Sequence, residues 1–330
     1  MNTKNNLPRR AGVLIAAVVL LLAVAAPAAV TNYSTGFESA QGYTNGLLAG
    51  QQGWVSQLLA TNGTFVTNSG TTGNGITAPG IGGSALAGYV GFSPLAPPYN
   101  KEIDLFRFVN LDPVGSNQPI VTFFTKLNVI DSGNTNYDSF YFDFHNKDGL
   151  LLFGIEFNNA NLTIYRVDST NAFVSTGRFF TNSVEYPLLV TMNFLSNRYS
   201  AIFNGVMIAT NQPIAIPGRA LNLGTVDAAW SPHITATPGN NWMKFDDWRI
   251  VSSPVAPDRP QLRVLTPGGA GAATLRLTGL DGFQFAVDTS TNLVTWQAVA
   301  TNTVFDGIAD YTDSSATGKT RRLYRARWVP

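Results

Sequence analysis

An all-β chain, a two-sheet antiparallel sandwich followed by a smaller C-terminal β-sandwich, is the fold these 330 residues predict. From Val30 onward no long stretch has helical periodicity; apolar residues alternate with polar ones in short runs broken by Gly, Asn, Asp and Pro. Charged residues make up 12%, well below the usual share, while 21 Phe and 11 Tyr favour strands and 31 Gly favour turns. The length suffices for two hydrophobic cores.

At the N-terminus Lys4, Arg9 and Arg10 precede an apolar run from Ala11 to Ala26 and the small residues Ala26-Pro27-Ala28. That is the layout of a secretory signal peptide over residues 1–28, cleaved after Ala28. The run is short for a membrane span, and no second apolar stretch of spanning length follows, so no membrane insertion of the mature chain is expected. An exported protein, secreted, periplasmic or held at the cell surface, is the reading. The net charge of +1 becomes −2 without the leader's three cations, which favours no nucleic-acid partner. No cysteine is present, so disulfides and thiolate metal sites are excluded.

Residues 36–99 are rich in Gly, Thr and Asn and predict long loops with short edge strands, with Gly70 to Gly83 either a mobile loop or one ordered by packing. Clear strands follow at Ile120 to Val129, Ser139 to His145, Leu150 to Phe157, Leu162 to Val167, Tyr186 to Phe194, Tyr199 to Phe203 and Met243 to Val251. Asn146-Lys147-Asp148-Gly149 and Asn204-Gly205 supply hairpin turns. The short connections between Tyr137 and Gly205 predict antiparallel neighbours. Three prolines between Pro254 and Pro260 mark a stiff connector over 253–260, dividing a domain of 30–252 from a module of 261–330. The module carries six further strands: Gln261 to Leu265, Ala273 to Thr278, Phe283 to Asp288, Trp296 to Ala300, Ala309 to Thr312 and Leu323 to Trp328.

Gly36-Phe37-Glu38, Leu48-Ala49-Gly50-Gln51-Gln52-Gly53-Trp54 and the closing Lys244-Phe245-Asp246-Asp247-Trp248-Arg249-Ile250 resemble the two ends of concanavalin A-like (laminin G-like) jelly-roll domains of exported bacterial proteins. The stretch from Phe285 to Trp296, with Arg322-Leu323-Tyr324-Arg325, resembles a small immunoglobulin- or fibronectin-like β-module. The resemblance implies a jelly roll as the first domain. It also implies a structural calcium, because first and last strands of such domains lie side by side and would bring Glu38 to Asp246 and Asp247; the alternative is carboxylates that cap loop amides.

Glu102-Ile103-Asp104-Leu105-Phe106-Arg107 is similar to the paired-glutamate strand of jelly-roll glycoside hydrolases, but Phe106 and Arg107 stand where the second carboxylate belongs. Two histidines and no G-x-S-x-G or H-E-x-x-H exclude the usual hydrolase and zinc motifs, so no catalytic residue and no catalytic cofactor is assigned. On Ser139 to His145 the three phenylalanines face one way and Tyr141, Asp143 and His145 the other. Joined by Lys126 and Asn128 from the preceding strand and Glu156 from the following one, they form the mixed polar and aromatic face a sugar ligand uses, or else a solvated outer face. Trp54, Trp230 and Trp242 are candidate stacking platforms or packing residues, His233 a turn residue, and Trp296 the module's central aromatic. Arg321, Arg322, Arg325 and Arg327 are balanced by Asp306, Asp310 and Asp313.

The sequence therefore predicts an exported, non-catalytic carbohydrate-binding or adhesion protein whose partner is a polysaccharide or cell-surface glycan. A structural surface protein and a polysaccharide-active enzyme are the alternatives. An enzyme would need two carboxylates from Glu102, Asp104, Asp143 and Glu156 converging in one cleft, one of them with a raised pKa.

Overall fold

The computed structural model describes residues 29–59, 65–67, 73–91, 102–254, 260–266, 272–279, 284–304, 307–319 and 322–329. The expected leader and most of the proline connector lie outside them. In chain order the strands are β1 (Val30–Thr35), β2 (Trp54–Leu59), β3 (Phe65–Thr67), β4 (Asn74–Thr77), β5 (Ala87–Gly91), β6 (Ile103–Leu111), β7 (Ile120–Ile130) and β8 (Ser139–His145). They continue with β9 (Leu151–Asn158), β10 (Thr163–Val167), β11 (Phe173–Phe179), β12 (Tyr186–Asn193), β13 (Arg198–Phe203), β14 (Val206–Pro213), β15 (Leu223–Ser231) and β16 (Trp242–Ser253). The C-terminal part adds β17 (Gln261–Thr266), β18 (Ala273–Thr278), β19 (Gln284–Ser290), β20 (Gln297–Thr303), β21 (Ile308–Asp313) and β22 (Leu323–Val329). Two short 3-10 turns are the only helical segments among the described residues.

The chain is all-β, as its alternation predicts. The first sheet runs β14-β13-β12-β7-β16-β5-β4 with β1 also on β16, and the second runs β11-β10-β9-β8-β15-β6-β2-β3. Every strand pair in them is antiparallel. The short strands β2 to β5 sit towards the edges, and part of the supposed mobile loop is β4 and an ordered turn.

Alternation on β8 explains how the layers join. Phe140, Phe142 and Phe144 are fully buried, and Phe142 and Phe144 each meet Phe123 of the first sheet at 5.6 Å between ring centroids. Phe153 of β9 stacks on Phe144 at 4.4 Å and on Tyr199 of β13 at 3.7 Å, so one aromatic column crosses the sandwich. Each such ring contributes about 1.5–3 kcal/mol by leaving water. Trp54 and Trp230 belong to this core rather than to a ligand surface: both are buried, Trp54 against Phe245 and Trp248, and Trp230 donating to Asp138. Trp242 is half-buried and packs edge-on against Tyr89.

The C-terminal part has all six expected strands, in two three-stranded sheets ordered β17-β18-β21 and β20-β19-β22. Leu277 of one and Phe285 of the other share its core with Val304. Phe285, not Trp296, fills the centre; the Trp296 ring lies under the Arg325 guanidinium at 4.4 Å. Arg325 and Arg327 both donate to Asp288, Arg322 pairs with Asp313 and Arg276 with Asp310, so these cations are held locally.

Candidate functional site

The outer face of the second sheet carries the chemistry. Its register sets the side chains in rows across the strands. In one row Asp104 of β6 is followed by Ala229 of β15, Tyr141 of β8, Glu156 of β9 and Tyr165 of β10. In the next stand Phe106, Asp227, Asp143, Gly154, Val167 and Phe173. Phe108, Thr225 and His145 form the row beyond. Directly opposed residues on an antiparallel pair have Cβ atoms about 4.5–5.5 Å apart, so Asp143 and Asp227 are immediate neighbours.

Small residues make room for this charge. A Cβ on Gly154 would overlap the Oδ1 of Asp143, and Ala229 leaves space between Asp104 and Tyr141. Two adjoining depressions result. One, of about 280 Å³, is lined by Glu102, Tyr141, Asp143 and Phe173 among others; the second, of about 190 Å³, by Asp104, Phe108, His145 and Asp227 among others. Phe173 and Phe108 flank them and are 53% and 55% exposed.

The charges interact strongly. His145 Nδ1 forms an ion pair with Asp227 Oδ2 at 3.2 Å, and the buried Asp227 Oδ1 has no hydrogen-bond partner. Burial opposes the imidazolium, yet Asp227, Asp143 and Asp104 outweigh it and push His145 up to about 9. Burial pushes the Asp143 carboxyl up to about 7 against the pull of His145, with Asp227, Glu102 and Glu156 adding to the rise. The same burial, reinforced by Asp227, Glu102 and Asp143, holds Asp104 well above the ordinary carboxylate range. Glu102 is raised by burial, against a hydrogen bond from Ser231.

Glu156 is handled differently. Its Oε1 accepts from Ser139 Oγ at 2.5 Å, from Asn158 Nδ2 at 3.1 Å and from the Tyr141 hydroxyl at 3.4 Å. Ser139 Oγ also meets His233 Nε2 at 2.7 Å, which makes His233 part of this network rather than a bare turn residue. Below it the buried Asp138 accepts from Trp230 Nε1 at 3.0 Å, Asn241 Nδ2 at 2.8 Å and the His233 amide at 3.2 Å.

Of the expected ligand residues, Tyr141, Asp143, His145 and Glu156 share this face. Lys126 and Asn128 do not. They lie on β7, which pairs with β12 and β16 in the other sheet, and Lys126 forms an ion pair with Asp247 at 2.7 Å. The chain crosses between sheets after β7, so sequence adjacency misassigned them. Asp227 and its strand β15 have no clear signal in the sequence, because Gly224, Ala228 and Ala229 give that segment little strand character.

Glu38 and Asp246 are drawn to the same turn, as expected of adjacent first and last strands, but N–H and O–H groups engage them. Glu38 Oε1 accepts the amides of Ala85 and Leu86 at 2.9 and 3.5 Å. Asp246 accepts from the Ile81 amide at 3.2 Å, from Ser84 Oγ and from the Asp247 amide. Among the described residues no group of three or more His, Asp or Glu side chains has the arrangement of a metal site.

No family model matches the chain, and neither does any curated protein. Solved structures similar to it include a sialidase, at 9% identity and a TM-score of 0.37 over 52% of this chain and 16% of that one. A lectin, UEA-II in complex with galactose, aligns at 8% identity and a TM-score of 0.42 over 68% of this chain and 98% of that one. The alginate lyase from Corynebacterium sp. aligns at 10% identity and 0.37 over 61% and 94%. At these scores the ligand and any reaction of this chain are a matter for its own side chains.

Proposed function

We propose that this is an exported glycan-binding protein whose ligand lies across the outer face of the second sheet. The observation that carries the reading is the carboxylate and imidazole floor of Asp104, Asp143, Asp227 and His145 set between the exposed rings of Phe108 and Phe173. A sugar ring has an apolar C–H face and a rim of hydroxyls; aromatic rings suit the first and carboxylates the second. Export rests on the leader-like N-terminus alone.

The test is calorimetric titration of the chain with a panel of soluble oligosaccharides. Binding by at least one, weakened tenfold or more by Phe173→Ala and by Asp143→Asn, supports it. A folded protein that binds none of them overturns it.

One observation favours a second reading, acid–base hydrolysis of a glycosidic bond: a carboxyl near pKa 7, Asp143, directly faces a second carboxylate, Asp227. Release of new reducing ends from a bound oligosaccharide, abolished by Asp143→Asn, is its signature. Bound glycan left intact returns the site to binding alone.

A further inference from the structure

Five carboxyl groups meet on the proposed glycan face: Glu102 just before β6, Asp104 on it, Asp143 on β8, Glu156 on β9 and Asp227 on β15. The basic groups facing them among the described residues are His145, inside the cluster, Lys147, at the rim of the second depression, and His233, which reaches Glu156 through Ser139 Oγ. No arginine lines either depression. Burial and mutual repulsion hold protons on Asp143 and Asp104, and a cation brought between these carboxyl groups would take the place of those protons.

The deficit of donors is local. Glu156 already has three donors. Asp227 has not: it is 4% exposed, its Oδ1 lacks any hydrogen-bond partner, and it points into the depression shared with Asp104 and His145. A buried carboxylate oxygen without a donor is costly, and folded chains keep few of them. The missing donor can come from the ligand, and a charged one answers both the unsatisfied oxygen and the crowding of carboxyl groups.

We propose that the ligand is a glycan bearing free amino groups, a hexosamine polymer without N-acetylation, whose ammonium sits against Asp227 with Asp143 and Asp104 around it. The proposal rests on the glycan-binding reading and sharpens it. It accounts for the crowding of carboxyl groups, which a uronate or sulfated sugar would aggravate and a neutral sugar would leave as it is. An N-acetyl group would lose the charge and bring a methyl group to a carboxylate.

The experiment is titration of the full chain at pH 6 with four oligosaccharides of equal length, built from glucosamine, N-acetylglucosamine, glucose and a uronate. An amine beside electron-withdrawing groups titrates near ~8, so the first is cationic at pH 6. Expected is at least tenfold tighter binding of the glucosamine oligomer than of the two neutral ones, no binding of the uronate, and a preference that shrinks in high salt. Asp227→Asn should erase the preference, bringing the affinity for the glucosamine oligomer down to that for the neutral ones; Phe173→Ala should weaken all of them alike. Equal or weaker binding of the amine form overturns the proposal and leaves the glycan reading intact, whereas binding of none overturns both. A preference that survives Asp227→Asn, in a variant shown to fold by its thermal melt, also overturns it. Should that variant not fold, the ranking of the four ligands on the wild-type chain decides.

Discussion

Gly154 lies directly opposite Asp143 on the neighbouring strand, and the carboxylate of Asp143 fills the space a side chain at 154 would take. A glycine inside a strand weakens it, so its use here is explained by the carboxylate it accommodates. Gly154→Ala should therefore push Asp143 out of place. Glycan affinity should drop at least tenfold, with a stability loss of about 1–3 kcal/mol from overpacking. Calorimetry beside a urea melt reads both, and unchanged affinity would show that Asp143 does not need this position.

The raised pKa values of Asp143 and His145 make stability fall as pH rises. Asp143 holds its proton up to about pH 7 in the folded chain but only to ~3.9 when unfolded, so its contribution is full below pH 4 and lost on the way to 7. His145 contributes fully below ~6.5 and loses its contribution as pH rises through about 9. The melting temperature should accordingly decline between pH 4 and pH 9 on this account. Asp143→Asn should stabilise the chain at pH 8, by about 1–3 kcal/mol once partial solvation is allowed for, and not at pH 4, which the melting temperature at each pH reads. An equal effect at both pH values would show that Asp143 does not titrate in this range.

Asp138 is fully buried and serves three donors, from Trp230, Asn241 and the His233 backbone. Asp138→Ala strands all three at once and should cost about 3–5 kcal/mol. Chemical denaturation measures it; a loss under about 1 kcal/mol would mean that water or rearrangement replaces the carboxylate.

Because Glu38 and Asp246 hold loop amides, removing divalent ions should leave the melting temperature where it is. A fall of several degrees in chelator that calcium restores would mean that a cation, not these amides, organises the turn.

The fold was legible because alternation is a local signal: Ser139 to His145 reads as a strand with its phenylalanines inward, and all six C-terminal strands are found where the pattern puts them. Half of the site was legible for the same reason, since Tyr141, Asp143 and His145 share one face of one strand. The remainder depends on which strand pairs with which. Asp227 reaches Asp143 only because β15 returns to lie beside β8, and Lys126 departs because β7 joins the other sheet. Neither pairing has a local cause in the sequence, and β15 is masked further by small residues whose role is to leave space.

Val30 of β1 pairs with Ser252 of β16, about 220 positions later in the chain. Until β16 exists, β1 has no partner, and β7 lacks the neighbour that joins it to β5. Completing the first sheet is thus a late and non-local step, which must wait for residues near 250 to be synthesised and must close one very long loop. A growing chain stopped short of β16 would present open strand edges and an uncovered row of aromatic rings, so this sandwich should assemble after synthesis of the domain rather than strand by strand.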